Sequence, residues 1–174
     1  AGSAAIPWLA QHHGAEVVTL TLDFGQDREL AAIRERALAL GAVRAHVIDV
    51  REEFVRQYLL PALQAGVVPE AHALWRPAVA KRLADVARME SASAVAHAAS
   101  PGSDVEAALS TEIASFGVHV IAPAREMADA GVDPLTLVDR IHVGPGRRFR
   151  VDVSAWGRRV VALDHGPLPD DALT

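Results

Sequence analysis

The sequence predicts a doubly wound α/β domain, a parallel sheet covered on both faces by helices, with a β-hairpin at its C-terminal end. Three observations carry this expectation. Short apolar runs at Glu16–Leu22, Ala45–Val50, Ala92–Ala96 and Val118–Ala122 alternate with longer segments of helical periodicity. The first two runs are joined by a single helix-length segment, a connection that implies parallel pairing. After Pro134 the pattern changes to two short alternating segments, Arg147–Val153 and Arg158–Leu163, separated by Ser154–Gly157.

The elements follow in order. Ser3 is placed to cap a helix over Ala4–His13, with Pro7 in its first turn and Gly14 ending it. The strand Glu16–Leu22 comes next. Asp27 opens a second helix whose apolar positions Leu30, Ile33, Ala37 and Leu40 fall on one face, and Gly41 closes it before the strand Ala45–Val50. Arg51–Ala65 and Pro77–Glu90 read as further helices, and Ala92–Ala96 as a buried strand ahead of the turn at Pro101-Gly102. Ser103 or Asp104 caps a helix through Ser115, and Val118–Ala122 is the last strand of this kind. The domain is expected over residues 1–143, with the hairpin as its extension over 144–166 and a loose tail at 167–174.

Composition sets limits on function. The 174 residues suit one domain with a sizeable core, and 51% apolar residues with a net charge of -5 suit a soluble globular protein. That charge lacks the basic excess that drives binding to nucleic-acid backbones, so nucleic acid is not expected as a partner. The chain has no cysteine, which excludes thiolate chemistry and Cys-based zinc sites. Its eight histidines show no metal-ligand spacing, and no metal is expected. No apolar run approaches the roughly 20 residues that cross a bilayer, and the first residues do not read as a secretory signal. Cytoplasmic localisation without membrane attachment is the expectation. Lys81 is the only lysine and sits mid-helix, so a mechanism needing lysine on a phosphate has one poorly placed candidate.

Several segments carry a family resemblance: AIPWLAQHHGAEVVTLTLDFGQ at Ala5–Gln26, RELAAIRERALALGAVRAHVIDVREEF at Arg28–Phe54, YLLPALQAG at Tyr58–Gly66, RPAVAKRLADVARMESASAVAH at Arg76–His97, VIAPARE at Val120–Glu126 and VDVSAWGR at Val151–Arg158. Together they resemble argininosuccinate synthase. The resemblance implies an ATP-pyrophosphatase (adenine nucleotide alpha hydrolase-like) domain, similar to the adenylating half of an enzyme that activates citrulline with ATP and joins it to aspartate. It implies nucleotide contacts at Ser3, Asp23, Gly25, Gln26, His97 and Gly102, and substrate contacts at Arg76, Asp104 and Arg125. ATP or AMP is the implied ligand, with magnesium only in a catalytically active form.

The departures from the family pattern lie at the reactive positions. The family's S-G-G-L-D-T-S phosphate loop works because consecutive N–H groups and a helix N-terminus converge on an anion. Only Ala1-Gly2-Ser3 stands where D-T-S is expected. The strand preceding that loop, expected at the centre of the sheet, has no counterpart before it. Residues ahead of Ala1, another element or another subunit are expected to fill the place, since a vacancy exposes two strand edges. The family's H-G-x-T-G-K-G-N-D-Q motif is here His97-Ala98-Ala99-Ser100-Pro101-Gly102-Ser103-Asp104-Val105, one residue shorter and without lysine. The Y-P-L-x-T segment is replaced by VPEAHALW at Val68–Trp75, and the serine of S-x-D-x-N-L-W-G-R by Arg150.

Each candidate also has an ordinary reading. Asp23, Gly25 and Gln26 make a strand-to-helix turn as readily as an adenosine contact. Arg76 before Pro77 is a helix-start arginine, either bound to an anion or solvated. His97, Ser100 and Asp104 suggest a nucleophile with its base, and Asp104 equally a helix cap. His12 and His13 favour a helix C-terminus. Arg147, Arg148, Arg150, Arg158 and Arg159 form a basic cluster on the expected hairpin, either an anion site or a solvated face. Catalytic residues stay unassigned. The losses favour a domain without citrulline–aspartate ligation that retains AMP or ATP binding. The alternatives are an active ligase completed by an N-terminal segment or another chain, and a partner-binding or self-associating module that includes Trp156.

Overall fold

A computed structural model describes residues 2–25, 30–66, 71–133 and 159–163. Helix α1 (Gly2–His13) leads into strand β1 (Glu16–Asp23), then α2 (Leu30–Ala39) and β2 (Arg44–Asp49). A continuous helical segment follows as α3 (Arg51–Phe54), a π-helical turn (Val55–Leu59) and α4 (Leu60–Gln64). Next come α5 (Ala71–Met89), β3 (Ala94–Ala96), α6 (Asp104–Ala114), β4 (His119–Ile121), α7 (Pro123–Asp129) and β5 (Arg159–Leu163).

The five strands form one sheet in the order β2-β1-β5-β3-β4. Every pairing is parallel: β1 with β2, β1 with β5, β3 with β5 and β3 with β4. The doubly wound expectation holds, because side chains of successive residues face opposite layers. Val18, Leu20, Leu22, Val95, Val161 and Leu163 pack on one face against Val79, Leu83 and Val86 of α5 and Leu109 and Ile113 of α6. Val17, Ala94, Ala96, Val160 and Ala162 face Ile6 and Leu9 of α1 and Ala37 and Leu40 of α2. Small residues on this second face let α1 approach closely, and Trp8 of α1 reaches Met127 of α7.

The sheet corrects one expectation. Arg159–Leu163 is a sheet strand and not the second arm of a hairpin, because both its edges are occupied, by β1 and by β3. Its expected partner Arg147–Val153 lies outside the described residues, as do Arg147, Arg148, Arg150, Trp156 and Arg158. The central place left open in the sequence is filled by an element of the same chain. Val160–Leu163 are all buried there, so alternation alone identified a strand without saying which strands it joins.

Other differences have local causes. Helix α1 begins at Gly2, so Ser3 lies inside it rather than capping it. Helix α5 begins at Ala71, six residues ahead of Pro77, which sits in its interior. Ser103 is the cap of α6: its Oγ accepts the Glu106 N–H at 3.2 Å, and Asp104 is the first helical residue. Helix α7, begun by Pro123, was absent from the sequence reading. The π-helical turn accommodates Pro61: the Leu60 N–H reaches back to the Val55 carbonyl, and the proline after it has no N–H to offer. Among the described residues no helix is long and apolar enough to cross a membrane.

At the amino ends of the strands, Glu90 is 3% exposed and its Oε1 accepts from Arg44 Nη1 and His46 Nε2, each at 2.7 Å. Burial raises its carboxyl pKa, and the His46 and Arg44 hydrogen bonds more than reverse that, leaving it below the ordinary value.

The position of β5 predicts an asymmetric response to proline. Val161→Pro removes a ladder N–H from a strand paired on both sides, so urea unfolding is expected to show a loss well above the roughly 1 kcal/mol of an ordinary point substitution. A loss of only about 1 kcal/mol, the size of an ordinary point substitution, would contradict a central β5.

Candidate functional site

In open parallel sheets, ligands bind beyond the carboxyl ends of the strands, where loops diverge and helix N-termini point inward. In this chain two polar clusters occupy that edge. The first joins β1 to β2. Asp23 ends β1, and its Oδ1 accepts the Gly25 N–H at 2.8 Å, curling the chain back in an Asx turn. Gly25 has a φ of +97°, a conformation open to glycine and strained for any other residue. The Val50 N–H donates to the Asp23 carbonyl at 3.0 Å, tying the loop to the end of β2.

Arg51 then folds back over this loop. Its Nε donates to Asp49 Oδ1 at 3.0 Å and its Nη2 to Oδ2 at 2.5 Å, while Nε lies 3.7 Å from Asp23 Oδ2. The Arg51 backbone N–H also donates to Asp49 Oδ1, at 3.0 Å. The side-chain hydrogen bonds first, and then the backbone one, lower the Asp49 carboxyl to about 2, and the side-chain bonds to Asp49 raise the Arg51 pKa. Phe24 and Phe54 meet edge to face beneath the loop, and Phe54 stacks on Tyr58.

The second cluster lies beyond β3 and β4. His97 follows β3 and is 1% exposed. Its Nε2 shares a hydrogen bond with Ser110 Oγ at 2.8 Å, and its Nδ1 accepts the Ala99 N–H at 3.4 Å, an arrangement that suits the Nε2–H tautomer. Glu106 in the first turn of α6 is buried. Its two oxygens accept from Arg125 Nε at 2.7 Å and Nη2 at 2.6 Å, and Oε2 also accepts the Gly102 N–H at 2.6 Å. The Arg125 hydrogen bonds lower the Glu106 carboxyl first of all; burial opposes them, and the Gly102 N–H assists. The carboxylate of Glu106 thus takes up both the Gly102 N–H ahead of α6 and the Arg125 guanidinium.

The candidate residues are therefore divided. Asp23 and Gly25 come together at the edge of β1, while Gln26 and the side chain of Ser3 lie outside the described residues. His97, Gly102 and Arg125 gather around α6, with Arg125 engaged by Glu106. The nucleophile-and-base reading is not supported: His97 bonds Ser110, Ser100 is exposed with its carbonyl accepting from Ser103, and Asp104 is exposed on the first turn of α6. Arg76 lies within α5, its Nε 3.7 Å from Glu112 Oε1. Lys81 Nζ lies 3.5 Å from Glu53 Oε1, and Arg82 pairs with the same carboxylate.

The reading from sequence missed Asp49, Arg51 and Glu106. The S-x-x-E spacing of Ser103 and Glu106 is a readable capping signal, whereas an Asp-x-Arg at a strand end is too common to single out. His12 and His13 do end α1, where His13 Nε2 and Trp8 Nε1 both meet Glu126 Oε2 at 2.8 Å. Among the described residues no group of three or more His, Cys, Asp or Glu is arranged to hold a metal ion.

A parallel five-stranded sheet with helices on both faces and polar loops at the carboxyl edge defines a doubly wound α/β domain. Residues 1–139 match the family described as the Arginosuccinate synthase N-terminal HUP domain, and the chain belongs to that family. It is 44% identical over 131 residues to a protein named argininosuccinate synthase from Pelotomaculum thermopropionicum, covering 71% of this chain and 33% of the relative. It is 38% identical over 167 residues to one from a Geobacillus species, covering 90% of this chain and 41% of the relative. To one from Dehalococcoides mccartyi it is 32% identical over 169 residues, with coverages of 91% and 42%. The chain thus spans about a third to two fifths of the length of the curated relatives it matches.

The Glu106–Arg125 pair sets a pH dependence. The folded carboxyl lies below its ordinary value of 4.5, so the pair's contribution is complete above that pH and is lost as pH falls through the folded value. Glu106→Gln is expected to lower stability by roughly 1–3 kcal/mol near neutral pH and to flatten the decline below pH 4.5, read from urea midpoints between pH 3 and 7. An unchanged acid limb would remove Glu106 as its source.

Proposed function

We propose that this domain binds an adenine nucleotide at the carboxyl edge of β1, through the loop at Asp23–Gly25, and does not by itself ligate citrulline to aspartate. The location is supported by membership of a HUP-domain family and by the loop's position at the edge where such sheets bind ligands.

One observation carries the second half of the proposal. Ligation by adenylation needs cations free to neutralise phosphate, yet Arg125, Arg76 and Lys81 each face a carboxylate of the same chain, Glu106, Glu112 and Glu53 respectively. The cradle at the start of α6 is filled by Glu106 rather than open to an anion.

A second reading is the nucleotide-binding part of an active ATP-dependent ligase, completed by sequence beyond these 174 residues or by another chain. Its support is the 44% identity to a protein named argininosuccinate synthase, of which this chain covers 33%. Magnesium would enter only with that activity, carried on the nucleotide's phosphates.

Calorimetric titration with AMP and ATP, with and without magnesium, tests the first reading. AMP and ATP are expected to bind with affinities within about threefold of each other, because the contacts lie at the base end. No binding to the folded protein would overturn it. Argininosuccinate formed by the isolated chain from citrulline, aspartate and ATP would replace it with the second.

A further inference from the structure

Arg51 is the first residue of α3 and is separated from β2 by Val50 alone, yet its side chain lies over the loop of the neighbouring strand. A Cβ placed on Gly25 would meet its Cδ at 3.6 Å, so the arginine stem packs along the glycine backbone. The head is held on one edge by both oxygens of Asp49. The side chain nevertheless remains 58% exposed. A guanidinium hydrogen-bonded along its edge, on a side chain more than half exposed, has a flat surface to offer a ligand.

Charge decides what kind of ligand suits it. Asp23 and Asp49 together outweigh the single positive charge of Arg51, so the trio is net negative and disfavours phosphate. A neutral aromatic ring carries no such penalty and is attracted to the face of a guanidinium. The carboxylate clamp also fixes the orientation of the plane before any ligand arrives, which lowers the ordering cost of binding.

We propose that Arg51 is a positioning residue for a nucleobase: clamped by Asp49, it supports the β1 loop at Gly25 and presents its open face as a stacking surface for a purine ring. This rests on the nucleotide-binding reading above and names the residue that orients the base. It also places the base end of the ligand over β1 and β2, leaving the phosphates to lie away from the Asp23–Asp49 pair.

The test uses the full chain, with adenosine, AMP and ribose 5-phosphate as probes followed by calorimetry or by chemical-shift titration. Arg51→Gln is expected to weaken adenosine and AMP about tenfold, with ribose 5-phosphate unaffected. Asp49→Asn, which frees the head without removing it, is expected to shift both base-containing ligands in the same direction by a smaller factor. Arg51→Lys keeps the charge but has neither the plane nor the fork, and is expected not to restore affinity. Thermal melts establish that each variant is folded, which these exposed positions favour.

Unchanged adenosine affinity in Arg51→Gln, an equal loss for ribose 5-phosphate, or full rescue by lysine would each overturn the role of Arg51. If the unaltered chain binds neither adenosine nor AMP, the nucleotide-binding reading falls and the base contact with it. The two failures are therefore separated by the behaviour of the unaltered protein.

Discussion

The fold depends on the main-chain pairing of β5 along both of its edges. Strands β2 and β1 form one half of the sheet and β3 and β4 the other, and β5 alone is hydrogen-bonded to both halves. Its side chains join the two helical layers as well: Val161 and Leu163 enter the core with α5 and α6, while Val160 and Ala162 enter the core with α1 and α2. Removing the strand would unpair one edge of β1 and one of β3 and open both cores at their middle. The polar edge where ligands are expected depends on the same pairing, since it sets how far apart the loops after β1 and β3 lie.

Among the described residues, several charged groups on that edge are paired within the chain. Asp49 holds Arg51, Glu106 holds Arg125, and Glu53 lies beside both Lys81 and Arg82. A buried carboxylate is tolerated only where hydrogen-bonded partners compensate its lost hydration. Glu90 and Glu106 each show that compensation at short range. Among the described residues, the Arg51, Arg125, Lys81 and Arg82 side chains of this region thus each lie beside a carboxylate of the same chain.

Much of this was legible in the residues. The apolar runs and helical spacings gave β1 to β4 and most of the helices, because burial on both faces of a sheet leaves a strong local pattern. Pairing was not legible: Arg159–Leu163 has the alternation of any strand, and only the gap between β1 and β3 determines where it goes. The early start of α5 was hidden because Pro77 reads locally as a first-turn residue, whereas the packing of Trp75, Val79 and Leu83 carries the helix through it. Helix α7 is seven residues long, too short for periodicity to declare. At the site, Asp23 and Gly25 were visible as a turn, while Arg51 became visible only when β2 was set beside β1. Glu106 carried a capping signature, but its engagement of Arg125 is a tertiary fact.

The pairing of β5 also has an order in time. Its register partners Glu16 and Arg159 lie far apart in the sequence, so the contacts that close the sheet are strongly non-local, and such contacts form slowly. During synthesis β1, β2, β3 and β4 emerge first, as two half-sheets whose inner edges face each other with nothing between them. Those edges are open to pairing with other chains until the last strand arrives. The nascent sheet is therefore most open to mispairing in the interval between the emergence of β4 and that of β5.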